Sequence, residues 1–141
     1  MGNKIEWQSG YNPADIDVIR TVEKNFGILF PDDFLEVVQK YQGGQPSSKI
    51  LEVNDRKVVF GYLLTFLAFD ELDILDKYNS ERYTLPPKHF PFAVDEEGNM
   101  FCFDYSGSDS PVVVYVESNK GSTASTIYLA QNFLGFVELL K

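Results

Sequence analysis

The sequence predicts one α+β domain, with a mixed, largely antiparallel sheet flanked by helices in the order ααβ…αβββα. Three observations carry this. Apolar residues recur at helical spacing before Gln42 and at strand spacing after Ile50. Two apolar runs joined by Glu96-Glu97-Gly98-Asn99 read as a β-hairpin. The 12 Phe and 8 Tyr favour a fold rich in sheet. A chain of 141 residues fits one domain, expected over residues 1–141, and no repeat or long linker divides it.

The first helix is expected to start at Asn12-Pro13, with Asn12 as cap and Pro13 at the first helical position. Ile16, Ile19, Val22 and Phe26 then form an apolar stripe, and Gly27 supplies the left-handed stop. A second helix begins at Pro31, with Asp32 and Asp33 in the turn where the helix dipole favours negative charge. Phe34, Leu35, Val38 and Tyr41 are its buried face, and Gly43-Gly44 ends it. Ile28-Leu29-Phe30 would join the two as a helical hairpin.

After an expected loop at Gln45-Pro46-Ser47-Ser48, the strands Ile50 to Val53 and Lys57 to Tyr62 flank Asn54-Asp55-Arg56. Leu63 to Phe69 continues in extended or buried form. Asp70 is the expected cap of a third helix carrying Leu72, Leu75 and Tyr78 on one face, with Asp73 able to pair with Lys77. Pro86, Pro87 and Pro91 predict an extended connector around His89-Phe90. The hairpin strands follow at Phe92 to Asp95 and Met100 to Tyr105, with Gly98 at the positive-φ position. Pro111 to Glu117 is a strand, Asn119 to Ser122 a loop, and Thr126 to Leu129 a short strand. Asn132 caps a last helix buried through Phe133, Phe136, Val137 and Leu140.

With 12 Lys and Arg against 21 Asp and Glu, the formal charge is −9. Nucleic acid and anionic membrane are poor partners for such a chain, because both need a basic face. Cys102 and His89 are the single residues of their kinds, which excludes an intrachain disulfide and Cys/His zinc sites. The N-terminal residues lack the apolar core of a signal peptide, and Glu6 stands where a myristoylation signal has a hydroxyl. The run from Val58 to Phe69 is too short to span a bilayer. A cytoplasmic protein is expected.

No phosphate-binding loop, dinucleotide motif, nucleophile elbow or zinc-protease helix occurs. Asp95, Glu97 and Asn99 alternate oxygens as a calcium loop does, but the glycine comes too early and the closing Glu is missing. The stretch reads instead as a turn in which Asp95 accepts backbone N–H bonds. Asp95 and Asp104 are the one carboxylate pair that a glycosidase-like hydrolase would use, the lowest-ranked reading. Cys102 reads as a small hydrophobe rather than a reactive thiol, since no positive neighbour is visible in the sequence.

Taken together, the chain resembles the SUKH superfamily, built around the yeast Smi/Knr cell-wall synthesis regulator. The matching pieces are Val22-Glu23, Phe26-Gly27-Ile28, Phe30-Pro31-Asp32-Asp33-Phe34, Tyr41-Gln42-Gly43-Gly44, Leu64 to Leu72 and Pro91 to Asn99. Asp104, Pro111-Val112-Val113 and Leu129 to Phe136 also fit, so the likeness runs from about Pro13 to the C-terminus. Phe30 replaces the usual Leu, Gln42 the usual Asn, and Asn132 a capping Ser; all three preserve packing or capping.

The resemblance implies a mixed sheet with helices around it. It also implies a role served in bacteria mostly by immunity proteins that bind and neutralise polymorphic toxins, often nucleases, and it offers no catalytic set; a non-enzymatic binder that occludes its toxin is the expectation. A regulatory scaffold is the alternative. No cofactor and no metal are expected, and the expected partner is a cognate, basic protein toxin. Glu96 and Glu97 at the hairpin tip, Asp109 in the next loop and Tyr105 as a rigid aromatic are the expected contacts, because loops on a rigid scaffold commonly carry recognition.

Overall fold

A computed structural model of the chain describes residues 5–117 and 125–141. Its elements run β1 (Trp7–Gln8), α1 (Ile16–Phe26), α2 (Asp32–Tyr41), β2 (Gln45–Pro46), β3 (Ile50–Val53) and β4 (Arg56–Leu63). They continue with α3 (Ile74–Glu81), β5 (His89–Asp95), β6 (Met100–Asp104), β7 (Val112–Glu117), β8 (Ser125–Ala130) and α4 (Phe133–Val137). The expected loop at Asn119 to Ser122 and residues 1–4 lie outside the described residues.

Strands β3 to β8 form one six-stranded meander in chain order, antiparallel at every pairing. The one parallel contact among the described residues is an isolated bridge between Thr65 and Asp73. The meander follows from short turns. Asn54 and Asp55 both take positive φ (49° and 64°), the geometry a two-residue hairpin needs and short polar residues tolerate. Gly98 (φ 87°) turns β5 into β6. The separate two-stranded sheet pairs β1 with β2, so Gln45-Pro46, expected as loop, is strand.

Alternation along the strands divides the buried residues into two clusters. Phe101, Phe103 and Tyr105 face the large core beneath α1, α2 and α4, as expected. Met100 and Cys102 face a smaller cluster with Val114, Val116 and Leu85. The large core is aromatic: the Phe34 ring lies 5.1 Å from Phe103, 5.3 Å from Phe133 and 5.5 Å from Phe92. Phe34, Val38, Phe101, Phe103 and Phe133 are inaccessible to solvent, and Val137 packs partly buried against them.

Four expectations are corrected. Helix α1 starts at Ile16, capped by Asp15, whose side chain accepts the Asp17 N–H at 3.0 Å. Asn12 instead turns its carbonyl to the Gln42 amide at 2.8 Å, and the Ala14 N–H donates to Gln39, which ties this segment to α2. Helix α3 is capped by Asp73, not Asp70: its Oδ1 accepts the Leu75 and Asp76 N–H groups at 3.0 and 3.3 Å. Asp73 is therefore a buried cap rather than a surface partner for Lys77. The residues expected as a connector before Phe92 are already strand from His89, and Pro91 sits where the register with β6 skips a residue. A bulge is where a residue without N–H can enter a central strand.

The end of α1 and the start of α4 hold as expected. Gly27 closes α1 at φ 75°, and Asn132 caps α4 by accepting the Gly135 N–H at 2.8 Å. Behind α2, a Cβ at Gly44 would lie 2.6 Å from the Tyr41 carbonyl oxygen and 2.7 Å from that of Gln8. Only glycine allows that approach of chain to chain.

Candidate partner-binding surface

Beyond β4 the backbone leaves the sheet. The Leu64 N–H donates to Phe92 at 2.9 Å, the Thr65 N–H to Leu72 at 2.8 Å, and Ile74 donates back to Thr65 at 2.8 Å. Residues 66–71 are thus a loop closed at its base by Thr65. Two acids fill it from within. Asp70 Oδ1 accepts the Thr65 hydroxyl and the Leu72 N–H, each at 3.1 Å, and Asp73 Oδ2 accepts the Phe69 N–H at 3.3 Å.

This bracing holds an unusual backbone. Leu67 and Phe69 both take φ 56°, in the left-handed region. There the Cβ of an L-residue crowds the following carbonyl at a cost of about 1–2 kcal/mol. Such residues persist where the surroundings over-determine them, and they cluster at functional places. Phe69 gains no burial in return, for it is 84% exposed. The sequence reading expected this residue to be extended or buried.

The loop leans on the N-terminal segment. The Tyr11 hydroxyl donates to Asp70 Oδ2, and its ring fills the space a side chain at Gly43 would need. Burial pushes the Asp70 carboxyl up, but the bonds from Tyr11, Thr65 and Leu72 outweigh it and hold it below its ordinary value. The Tyr11 pKa is pushed up to about 12, first by its bond to Asp70, then by burial and by the nearby Asp70, Glu71 and Tyr62. Tyr11, Tyr62, Phe69, Asp70 and Glu71 therefore make one aromatic and acidic platform, in which Tyr62 and Glu71 are exposed.

The expected contact residues fall in two places. Glu96 and Glu97 are exposed at the hairpin tip, held by Asp95, whose Oδ1 accepts the Glu97 and Asn99 N–H groups at 2.9 and 2.8 Å. Asp95 is the turn anchor the sequence suggested. Its other oxygen accepts the Tyr115 hydroxyl, and burial together with that bond raises the Tyr115 pKa. The Glu96 N–H donates to Val59 on β4. At about 3.3 Å per residue, Tyr62 stands roughly 10 Å further along the same strand, between the tip and the Phe69 loop. Tyr105 and Asp109 lie elsewhere. Tyr105 is only 7% exposed and donates its hydroxyl to the Leu29 carbonyl at 2.7 Å. It floors a groove on whose rim exposed Asp109 stands.

Cys102 and His89, the single residues of their kinds, are engaged in structure. Cys102 is buried, and burial pushes its thiol up, away from the reactive thiolate. His89 is buried with Nδ1 2.9 Å from the Pro87 carbonyl and Nε2 3.7 Å from Asp104. Asp104 pairs with His89 in the sheet, at the other end of β5 from Asp95. Six residues of strand separate the two acids by about 20 Å. A glycosidase pair needs roughly 5–10 Å. Among the described residues no three His, Cys, Asp or Glu side chains are grouped to hold a metal ion, and no helix is long and apolar enough to cross a membrane.

Phe69 is what the sequence reading missed. One signal was present: Phe69 precedes Asp70-Glu71, and an apolar residue beside two acids fits neither period of a buried segment.

Comparison with known families gives one finding at the level of sequence. Residues 16–137 match a family model, SUKH_6, described as SMI1-KNR4 cell-wall. No curated protein matches the chain. The matched span runs from the first residue of α1 to the last residue of α4.

Proposed function

We propose a function from a plain premise: this chain belongs to the SUKH superfamily, in its SMI1-KNR4 cell-wall family. It acts by binding rather than catalysis, as a cytoplasmic immunity protein that covers the working face of a basic protein toxin. The observation that supports this reading best is Phe69, an exposed ring on a loop whose backbone two carboxylates brace, Asp73 at the Phe69 N–H and Asp70 at the Leu72 N–H, in a conformation that costs free energy. A solvated loop has no need of that arrangement. An aromatic anchor with a charged surround does, because a rigid ring entering a partner's pocket is how a few residues carry most of an interface.

The surround is acidic. Asp70 and Glu71 follow Phe69 in the loop, and Glu96 and Glu97 carry the same sign at the β5–β6 turn, beside Val59 of β4. Such a strip attracts a cationic surface, and nucleases that grip phosphates present one. In this reading Phe69 and Tyr62 supply contact area, while the four acids steer encounter and fix orientation.

The test is the toxin domain encoded beside this gene. The purified domain, titrated at low and high salt, should form a tight complex whose affinity falls as ionic strength rises, and co-expression should abolish toxicity. A neighbour that neither binds nor is neutralised overturns the immunity reading. A cell-wall synthesis enzyme as the neighbour, bound without loss of its activity, would replace it with the scaffold reading.

A further inference from the structure

Where α1 ends at Gly27, the chain bends over the start of β5 and the end of β6 and leaves a groove of about 690 Å³. Small-molecule sites run to about 300–1,000 Å³, so the groove has the size for one. Its floor is aromatic. The Phe26 ring lies 4.8 Å from Phe90, and Phe90 lies 5.9 Å from Tyr105. The floor is also fixed, because the Tyr105 hydroxyl is engaged by Leu29 and its N–H donates to the Lys88 carbonyl at 2.9 Å.

The rim carries the opposite sign to the rest of the protein. Arg20, Lys24 and Lys88 line it, in a chain of formal charge −9. Arg20 is held 2.6 Å from the buried Glu23, whose other oxygen accepts the Phe30 N–H at 2.6 Å. Lys24 and Lys88 are exposed, and neither makes an ion pair among the described residues. Asp109 is the one acid exposed on the rim, so two free cations face a single carboxylate. Lys88 sits at φ 62°, a left-handed conformation braced by the Tyr105 bond to its carbonyl.

We propose that this groove is a second binding site, independent of the toxin-binding platform, that takes a small amphipathic anion with a flat ring body and one carboxylate. The ring body lies on Phe26, Phe90 and Tyr105, and the carboxylate meets Lys24 and Lys88. Charge complementarity selects this occupant. An apolar molecule alone leaves the two ammonium groups unanswered, and a cation meets them head on.

Naphthoate is the probe, followed by backbone amide shifts in NMR, with naphthamide as a neutral control of the same shape. Naphthoate should shift Lys24, Gly27, Leu29, Lys88 and Tyr105, and naphthamide should bind at least roughly tenfold more weakly. Lys24→Glu/Lys88→Glu should abolish the advantage of naphthoate over naphthamide, while Lys40→Glu, at an exposed position of α2, leaves it unchanged. Both lysines are exposed, so the double variant should keep the native amide spectrum. Lys24→Gln/Lys88→Gln provides a second variant that removes the charge without reversing it. Shifts clustered away from the groove, equal binding of acid and amide, or unchanged discrimination in either double variant would each overturn the proposal.

Discussion

Replacing Phe69 by glycine and by alanine separates strain from packing. The ring is 84% exposed. Both substitutions therefore forfeit only about a sixth of a full Phe burial, itself worth roughly 1.5–3 kcal/mol, which is under about 0.5 kcal/mol. They differ in the backbone. Alanine keeps a Cβ at φ 56° and keeps the strain, whereas glycine relieves about 1–2 kcal/mol of it. Glycine in return gives the unfolded chain extra freedom, at a cost of about 0.5–1 kcal/mol. The balance leaves Phe69→Gly more stable than Phe69→Ala by about 0.5–1 kcal/mol, the reverse of the order in an ordinary strand or helix. Urea unfolding at constant slope reads this as a higher midpoint for the glycine variant. Binding should move the other way. Both variants lose the anchor, so each should weaken the toxin complex by at least about 2 kcal/mol, roughly thirtyfold. An alanine variant more stable than glycine would show that the loop is not strained. Unchanged affinity in both would show that Phe69 is not the anchor.

The platform's hydrogen bond predicts a pH signature. The Tyr11 pKa is raised in the folded state to about 12. Its stabilisation is therefore complete below the ordinary tyrosine value of about 10 and is lost as pH climbs through the folded pKa. Asp70 is lowered, so its share is present above about pH 4 and lost as pH falls through its folded pKa. Asp70→Asn should return one late-titrating tyrosine toward its ordinary range in an absorbance titration; an unchanged alkaline limb refutes the assignment. In the core, Phe133→Ala should cost about 3–5 kcal/mol, because the ring is inaccessible and packed against Phe34, Phe92 and Phe136. A loss below about 1 kcal/mol in denaturant would contradict that packing. At the hairpin tip, Glu96→Lys/Glu97→Lys should slow toxin association and weaken binding at low salt, with the gap closing as salt screens it. Stability should stay within about 0.5 kcal/mol of wild type, and equal affinity at low salt would remove the tip from the interface.

How legible each element was follows from where its determinants lie. The Asn132 cap, the Gly27 stop and the Asp95 turn were readable because each is decided by residues within four positions of one another. The start of α1 was misread for a reason of range: Asn12 is a good cap by type, but Gln42, thirty positions on, engages its carbonyl. Asp70 and Asp73 are equally good caps locally. Tyr11, 59 positions away in the sequence, engages Asp70 and leaves the cap to Asp73. Strand β5 was begun too late because Pro91 counts against a central strand, and the bulge that admits it is a property of the sheet. The exposure of Phe69 had one local signal, its place beside Asp70-Glu71, but nothing local to an apolar run says that its backbone will turn left-handed.

Net charge shows the same distinction in the function. The value of −9 counts every acid alike, yet the fold sorts them into three kinds of work. Glu23, Asp73 and Asp95 are buried and engaged by backbone N–H groups, so they contribute little to the field a partner meets. Glu71, Glu96 and Glu97 are exposed on or near the platform. Asp109 faces the other way, onto a groove whose rim is otherwise cationic. A field falls off over about 8 Å at physiological salt, so an approaching basic protein responds to the local group and not to the total. It follows that reversing the charge of Glu96 and Glu97 should slow toxin association far more than the same reversal at Asp17 and Glu36, exposed acids on α1 and α2, although the net charge changes equally in both variants.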